Sequence, residues 1–289
     1  MLAIYLKSRF ALEIYLLKPN GGDLILIKNF RVILTQISIA NMYFKNFTIQ
    51  LVKDLLIRFP KKVVGLIEFS NEYRKFKKNN DDRFTVQLKD IYPCLGDKLP
   101  KTPFDHHYTY HPAWAARILA TTKPEYHVDF SSILSFGSIV SAFIPIKFYD
   151  YRPADLNLSN WESGFADLKN LPFETDSQPS VSCMHTVEHI GLGRYGDPID
   201  PHGDLIAIAE LKRIVQLGGD LLFVTPVGKA RIEFNAHRIY SYEMIVDAFA
   251  PFTLAGFSLV PDEGGFIDNA DPALVAQQSY GCGCFWFKK

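Results

Sequence analysis

The chain has 289 residues, 48% of them hydrophobic, and its 31 Lys+Arg balance its 31 Asp+Glu. This composition excludes an intrinsically disordered chain and argues against a globally basic nucleic-acid-binding protein. The balance hides an asymmetry, because residues 1–100 carry 17 Lys+Arg and 9 Asp+Glu, whereas residues 101–289 carry 14 and 22. All eight histidines follow residue 105. We therefore expect two regions of different chemistry, with the candidate site in the second.

The cysteines and the apolar segments predict the compartment. Four scattered cysteines are too few for a disulfide framework, so we expect a reducing compartment and a cytoplasmic protein. The apolar start of the chain is interrupted by Lys7, Arg9 and Glu13, which argues against a signal peptide. The sequence has no run of about 18 uncharged apolar residues, so we predict no membrane-spanning helix.

Residues 1–104 are predicted to form an N-terminal basic extension of mixed α/β structure. Leu24–Ile27 and Val32–Thr35 are typical of strands, and Phe47–Phe59 has apolar residues at helical spacing. Arg58–Lys78 is dense in Lys and Arg with aromatic residues between them. We interpret this stretch as a solvated helix face; the alternative is contact with an anionic surface, either a membrane or RNA.

Residues 105–289 show a more regular pattern and are predicted to form a second domain. The predicted helices are Pro112–Thr121, Leu205–Gln216 and Tyr242–Phe249. The predicted strands are His127–Phe130, Ile146–Tyr149, Ser180–Met184, Leu221–Val224, Phe252–Val260 and Gly281–Phe287. Strands that alternate with helices indicate an α/β fold with a doubly wound, mostly parallel sheet.

Acidic residues and a histidine follow successive predicted strands. Asp129 ends the first strand, Asp150 ends the second 21 positions later, Asp167 comes next, and His185 follows Met184. Ligands of open α/β sheets bind beyond the carboxyl ends of the strands, and an acidic residue about 20 positions after the first strand end suits a nucleoside ribose. This pattern predicts a nucleoside-binding site at that edge.

Several segments of the second region resemble a known fold family. They read FADLKNLPFETDSQPSVSCMHTVEHIGLG (165–193), ELKRIVQLGGDLLFVTPVG (210–228) and HRIYSYEMIVDAF (237–249). Together they resemble class I S-adenosylmethionine-dependent methyltransferases over roughly residues 105–289. Two strings, FDHHYTYHPAWAARIL and EHIGLGRYGDPIDPHGD, resemble a narrower family described as "Caenorhabditis protein of unknown function", which also occurs in bacteria.

The resemblance implies a fold, a cofactor and a reaction. The fold would be a Rossmann-like sheet that ends in an antiparallel hairpin, and the reaction would be methyl transfer from S-adenosylmethionine to a small-molecule or glycan-linked acceptor. The residues expected to bind the cofactor are Asp129, Ser131, Ser132, Asp150, Tyr151, Asp167, Leu168 and Met184.

The first loop departs from the pattern of that family. Residues 129–135 read DFSSILS, where the family has Asp-x-Gly-x-Gly-x-Gly. Glycines there let the backbone turn tightly and approach a cofactor, and serine tolerates such conformations poorly. The departure motivates a second hypothesis, a catalytically inactive binding or scaffold protein with the same fold.

The string His185-Thr-Val-Glu188-His189 also fits the inverted zinc-peptidase motif. On a helix, His185 and His189 would share one face, as two zinc ligands do. Gly191 and Gly193 would break such a helix at once, which argues against a peptidase. A third hypothesis is therefore a metal-dependent enzyme that uses His185, Glu188 and His189, although we predict no metal ligands for the methyltransferase.

A methyl acceptor with a hydroxyl group needs a base, and a neutral imidazole has a suitable pKa. His185 is the preferred candidate, with His189 and His237 as the others. The polar loop Gly191–Asp204 is interpreted either as a surface loop or as a substrate lid. Its candidate substrate-binding residues are Arg194, Tyr195, Asp197 and Asp200.

Two smaller clusters remain. The histidines at positions 106, 107 and 111 are expected before the helix Pro112–Thr121, where they would cap it or close over the cofactor. Cys282 and Cys284 alternate on a predicted strand, so their side chains share a face, and we interpret them as packing residues.

Overall fold

The computed structural model describes residues 2–8, 11–16, 25–26, 59–81 and 83–289. The chain divides into two compact units, Met1–Thr102 and Pro103–Lys289. The predicted strand Val32–Thr35 and, apart from Phe59, the predicted helix Phe47–Phe59 lie outside the described residues.

The first unit contains a small antiparallel sheet and a helix. Strand β1 (Leu2–Ser8) pairs with β2 (Ala11–Leu16), which pairs with β3 (Ile25–Leu26). Strand β3 lies inside the predicted strand Leu24–Ile27. Helix α1 (Phe59–Lys78) covers nearly all of the basic stretch.

Helix α1 exposes charged side chains together with apolar ones, among them Val64, Ile67 and Phe76. Its last turn carries three lysines, where positive charge interacts favourably with the helix dipole. Lys98 lies 2.6 Å from the Glu72 carboxylate and so links the following loop to the helix. The contact between α1 and an anionic surface stays a prediction. Within the described ranges, no helix is both long and apolar enough to cross a membrane.

The second unit is built on a seven-stranded sheet. Its strands are β4 (His127–Phe130), β5 (Ile146–Asp150), β6 (Trp161–Phe165), β7 (Gln178–Met184), β8 (Val215–Val227), β11 (Thr253–Val260) and β12 (Gly281–Lys288). The spatial order is β11-β12-β8-β7-β4-β5-β6. A separate antiparallel pair, β9 (Arg231–Glu233) and β10 (His237–Ile239), lies outside this sheet. Neighbours from β8 to β6 pair in parallel, and β12 is antiparallel to both β8 and β11. This order confirms the Rossmann-like methyltransferase fold and its antiparallel closing strand.

Helices cover both faces of this sheet. They are α2 (His106–Thr122), α3 (Leu134–Val140), α4 (Gly203–Ile214) and α5 (Tyr242–Phe249). Strand β8 shows how one strand serves two cores: Leu221 and Phe223 pack with α4 and α5, whereas Leu222 and Val224 pack with α2 and α3. Alternating side chains of a strand point to opposite faces, so a strand buried on both sides is apolar throughout.

Helix α2 begins earlier than the sequence predicted. It starts at His106 rather than Pro112, because the Asp105 carboxylate accepts a hydrogen bond from the backbone N–H of Tyr108 and caps the first turn. The prediction that His106, His107 and His111 precede the helix is therefore wrong. All three lie within its first two turns.

The boundary between α4 and β8 was also mispredicted. The helix ends at Ile214 and the strand begins at Val215, so Gly218 and Gly219 lie inside the strand instead of closing the helix. Gly218 has φ of +77°, and a Cβ on Gly219 would lie 3.0 Å from the carbonyl oxygen of Pro179. Both glycines lie where the pairing of β7 with β8 is irregular, and their backbone conformation and small size permit this irregularity.

Candidate functional site

Two adjoining cavities lie at the carboxyl ends of the parallel strands. The larger cavity has a volume of about 720 Å³ and the smaller about 310 Å³, both within the usual range of ligand sites. Four residues line both cavities: Ser131, His185, His189 and Tyr195. The cavities therefore meet where the loops after β4 and β7 come together.

Two residues at this junction have left-handed backbone conformations. Ser131 follows β4 with φ of +55°, and His185 follows β7 with φ of +56°. Such conformations cost roughly 1–2 kcal/mol for residues other than glycine. Their presence on neighbouring strands, at the rim of two cavities, marks this edge as a candidate functional site.

The smaller cavity contains the strand-end carboxylates of β5 and of the turn after β6. Asp150 accepts a hydrogen bond from the backbone N–H of Arg152 at 2.6 Å, and Asp167 accepts one from Lys169 at 2.9 Å. Each uses its Oδ1 atom for this turn. Among the described residues, neither Oδ2 atom has a hydrogen-bond partner, so these oxygens can accept bonds from a ligand.

Three more predicted cofactor-binding residues line the smaller cavity, namely Ser131, Tyr151 and Leu168. Met184 lines the larger cavity instead. The structure therefore brings together Asp150, Asp167 and His185, three of the four side chains that the sequence had placed at successive strand ends.

Asp129 and Ser132 line neither cavity. Asp129 is completely buried, and its carboxylate accepts a hydrogen bond from the Ser182 hydroxyl. Burial raises the pKa of Asp129 to about 6, although hydrogen bonds from Ser132 and Ser182 oppose the shift. The Ser132 hydroxyl also accepts a hydrogen bond from the Met184 backbone at 3.2 Å. Both residues therefore stabilise the first loop instead of lining a cavity.

A buried carboxylate lies between two histidines in the wall of the larger cavity. Glu188 Oε1 is 3.0 Å from His185 Nδ1 and 3.8 Å from His189 Nε2. The Glu188 side chain is only 1% exposed, and its Oε2 atom has no hydrogen-bond partner in the described part of the chain. A buried charge of this kind is costly unless it is paired. Its nearest polar partners are the two imidazoles.

His189 has a fixed orientation. Its Nδ1 lies 2.6 Å from the carbonyl oxygen of Ala236, so Nδ1–H donates there and the lone pair remains on Nε2. Burial lowers the pKa of His189, although the Glu188 charge opposes the shift. The imidazole is therefore neutral near pH 7 and can accept a proton.

Tyr108 and Tyr280 of the larger cavity cannot serve as bases near neutral pH. Burial, assisted by the Glu188 charge, raises the pKa of Tyr108 and raises that of Tyr280 to about 12. Both phenols stay protonated and can donate hydrogen bonds to a ligand. The remaining bases of this cavity are its histidines and the Glu188 carboxylate.

The other two candidate bases have covered nitrogen atoms. The Nε2 atoms of His185 and His237 are buried, and His237 Nε2 lies 3.2 Å from the Glu233 carboxylate. Both residues line the larger cavity, but neither presents a lone pair as openly as His189 does.

The helix expected for the inverted zinc-peptidase motif is absent. A single 3₁₀ turn, Val187–His189, follows His185, whose backbone is left-handed. His185 and His189 are therefore not one helical turn apart on a common face. The zinc-peptidase motif therefore has no helix to present its histidines, and the metal-dependent alternative stays a hypothesis.

Hydrogen bonds within the loop Gly191–Asp204 stabilise its conformation. Asp197 accepts hydrogen bonds from the backbone N–H groups of Gly191, at 2.6 Å, and Tyr195. Burial favours a higher pKa for Asp197, but these amides outweigh it and the pKa is lowered. A Cβ on Gly191 would lie 2.0 Å from the carbonyl oxygen of Asp200, and its φ is +79°, so only glycine fits there.

Arg238 anchors the same loop and was not singled out from the sequence. Its buried guanidinium donates to the carbonyl oxygens of Ile190, at 2.6 Å, and Asp200, at 3.3 Å, and lies 3.5 Å from the Asp204 carboxylate. The loop is held at both ends by one side chain, which favours a fixed wall over a moving lid. Only the general preference of buried arginine for backbone oxygens could have suggested this role.

The predicted substrate-binding residues divide into two groups. Arg194 and Tyr195 line the larger cavity, and Tyr195 is flanked by the guanidinium groups of Arg152 and Arg194 at 4.9 and 5.1 Å from its ring centre. Asp197 lines the smaller cavity. Asp200 lines neither, and its carboxylate accepts a hydrogen bond from His202 within the loop.

Several lining residues of the larger cavity were missed in the sequence. They are Tyr108, Ile133, Phe234, Asn235, Ala236 and Tyr280. They come from four distant parts of the chain, and no spacing pattern connects them. The cavity is thus aromatic on several sides and carries imidazole, amide and guanidinium groups.

Comparison with protein families matches part of this unit. The family described as "Caenorhabditis protein of unknown function" matches residues 171–261. This match confirms the narrower resemblance over those residues, which include β7, β8 and the loop Gly191–Asp204. No curated protein matches the sequence.

Solved structures of methyltransferases resemble the chain at low sequence identity. A putative sarcosine dimethylglycine methyltransferase from Galdieria sulphuraria is 12% identical, covers 62% of this chain and 84% of its own, and has a TM-score of 0.45. The Burkholderia thailandensis 1,6-didemethyltoxoflavin N1-methyltransferase, solved with S-adenosylhomocysteine, is 10% identical, with 62% and 78% coverage and a TM-score of 0.44. A Thermotoga maritima methyltransferase described as a possible histamine N-methyltransferase is 16% identical, with 64% and 90% coverage and a TM-score of 0.42.

Proposed function

We propose that the second unit is an S-adenosylmethionine-dependent methyltransferase that acts on a polar small-molecule or glycan-linked acceptor. The observation that supports this proposal is the pair of adjoining cavities, one with strand-end carboxylates and the other with imidazoles. The order of the strands and the resemblance of their connecting segments agree with it.

The smaller cavity suits the nucleoside of the methyl donor. The free Oδ2 atoms of Asp150 and Asp167 can accept hydrogen bonds from ribose hydroxyls and from an adenine amino group. S-adenosylmethionine supplies an electrophilic methyl group on a positively charged sulfur. Three carboxylates line this cavity against two cationic side chains, Arg152 and Lys169, and this excess favours such a cationic ligand, as does the buried Glu188 in the adjoining cavity.

The larger cavity suits an acceptor with a hydroxyl or amine group. Its aromatic walls, including Tyr108, Tyr195 and Tyr280, can stack on a sugar or an aromatic ring, and Arg194 can donate hydrogen bonds to oxygen atoms. Binding in such a cavity contributes to catalysis by orienting the two reactants.

Among the candidate bases, the geometry favours His189 over His185. Its Nε2 lone pair is free because Nδ1–H donates to Ala236, and it lines both cavities. The proton taken from the acceptor would be held at Nε2, 3.8 Å from Glu188 Oε1, where the carboxylate stabilises the imidazolium.

A transfer assay tests the proposal. The protein is incubated with methyl-labelled S-adenosylmethionine and a panel of sugars, phenols and polar amines. We expect label in an acceptor and an equal amount of S-adenosylhomocysteine. Binding of the donor without transfer to any acceptor class would contradict the catalytic part of the proposal.

The serine-filled first loop favours one alternative, a binding protein that has lost the reaction. Ser131 occupies a left-handed position where glycine is unstrained. If the donor cavity is lost, neither S-adenosylmethionine nor S-adenosylhomocysteine will bind, and this outcome separates the alternative from the enzyme.

A further inference from the structure

A cluster of two imidazoles and a thiol lies beside the larger cavity and is not used by the proposed reaction. His107 lies in α2, His185 follows β7, and Cys282 begins β12. One potential ligand atom from each lies within 4.8 Å of the others. The three residues come from elements far apart in sequence, so their convergence is a property of the fold.

The His185 side chain is only 3% exposed, and its Nε2 atom lacks a hydrogen-bond partner in the described structure. Its Nδ1 lies 3.0 Å from Glu188 Oε1. With Nδ1–H donated to that carboxylate, the buried Nε2 carries a lone pair that no protein donor satisfies. A carboxylate behind a histidine is the usual second partner of a metal-bound imidazole.

Two further imidazoles lie against His185. His107 stacks on it with ring centres 5.5 Å apart. The His111 ring centre lies 5.0 Å from that of His185, and its Nε2 atom is also buried without a hydrogen-bond partner in the described ranges. Imidazole is the commonest metal ligand among protein side chains.

We infer that His107, His185 and Cys282 bind a zinc ion. Two imidazoles and one thiolate form a borderline-soft set of three protein ligands, which suits tetrahedral zinc with one further position. Bond lengths of about 2.0–2.3 Å require ligand atoms roughly 3.3–3.6 Å apart, so atoms that lie up to 4.8 Å apart need to close by as much as about 1.5 Å. The thiol proton is released on binding, and the zinc–sulfur bond replaces it.

Such an ion would join three elements around the larger cavity. It would connect the first turn of α2 to the ends of β7 and β12, and it would hold the His185 ring against Glu188. His189 is not a ligand in this arrangement, so the zinc site and the proposed base are separate.

Metal analysis of the whole chain, purified without a metal-affinity tag, tests the inference. We expect about one zinc per chain in the wild type and less than about 0.1 in Cys282→Ala and in His107→Ala. Cys284→Ala and His106→Ala are the matched controls. Cys284 lies two residues along the same strand with its Sγ 3.9 Å from that of Cys282, and the His106 ring bonds to Gly265 instead. Both controls should keep the zinc.

A second measurement does not depend on the variants' stability. Cobalt added to metal-free wild-type protein should give the absorption of a tetrahedral site with a thiolate ligand, and added zinc should abolish it. A wild type with less than about 0.1 zinc per chain and no cobalt spectrum would overturn the inference, as would zinc retained by Cys282→Ala. Donor binding is measured separately on the metal-free protein, so failure of the zinc site and failure of the methyltransferase proposal are distinguishable.

Discussion

The two cavities at the strand ends differ in how they are built. The smaller cavity is lined by residues that follow β5 and β6 and by the loops after β4 and β7, and its key groups are carboxylates with one free oxygen each. The larger cavity is lined by side chains from α2, from the loops after β4 and β7, from the segment before β10 (His237–Ile239) and from Tyr280, the residue before β12. In our proposal, the nucleoside site follows largely from the topology of the sheet, whereas the acceptor site depends on side chains that each chain places differently.

The largest expected effect concerns the base in the larger cavity. His189→Gln keeps a polar side chain but removes the basic nitrogen, so we expect the turnover number to fall by roughly 10²–10⁴-fold. Donor affinity should change little. The rate of S-adenosylhomocysteine release, measured with the acceptor found in the panel, checks this.

The pH dependence of activity also tests whether His189 is the base. The base must be unprotonated, and the pKa of His189 is lowered, so activity should fall only below its ordinary value of about 6.5. His185→Gln is the comparison variant. If it loses as much activity as His189→Gln and with the same pH profile, our choice of base is wrong.

The second effect concerns the smaller cavity. Asp150→Ala removes a carboxylate that can accept ribose hydrogen bonds, and such charged hydrogen bonds contribute about 1.5–3 kcal/mol. We expect S-adenosylmethionine to bind roughly 10–100-fold more weakly, with the acceptor KM unchanged. Asp155→Ala, an exposed carboxylate outside both cavities, is the control. Equal affinities of the two variants would remove Asp150 from the site.

The third effect concerns Asp129 beneath the first loop. Its folded-state pKa is raised to about 6, above the ordinary value of about 4. The folded protein therefore binds this proton more tightly than the unfolded chain does, and the free energy of unfolding falls as pH rises from about 4 through about 6. Relative to wild type, Asp129→Asn should gain roughly 2–3 kcal/mol of unfolding free energy between pH ~4 and pH ~7.5. Denaturant titrations at both pH values measure it. If the unfolding free energies of the two proteins change equally between the two pH values, the raised pKa of Asp129 is contradicted.

The smallest effect concerns the strained serine shared by the two cavities. Ser131→Gly relieves a left-handed conformation, and the greater freedom of glycine in the unfolded chain offsets part of this gain. We expect the free energy of unfolding to rise by about 0.5–1 kcal/mol. Ser135→Gly, inside helix α3, should lower it by a similar amount. A loss of stability in both variants would show that Ser131 is not strained.

The fold could be predicted because its signals are local. Apolar strands separated by helical segments, and acidic residues at strand ends such as Asp150, are visible in the order of the residues. Even here, the ends of elements were wrong where a cap or a pairing irregularity decides them. Asp105 extends α2 toward the N-terminus, and Gly218 continues β8.

The larger cavity could be predicted only in part. The sequence marked its histidines, but the free nitrogen of His189 depends on the carbonyl oxygen of Ala236, 47 positions away. The anchoring role of Arg238 likewise depends on carbonyl oxygens of a loop that precedes it. Contacts to backbone atoms have no residue-type signature, so no spacing pattern could reveal them.

The central claim is that the smaller cavity binds the methyl donor, and calorimetric titration with S-adenosylmethionine tests it most directly. The account predicts about one site per chain, similar binding of S-adenosylhomocysteine, and much weaker binding to Asp150→Ala than to Asp155→Ala. Absence of binding by both ligands at millimolar concentration, in a chain that is folded by circular dichroism, would contradict it.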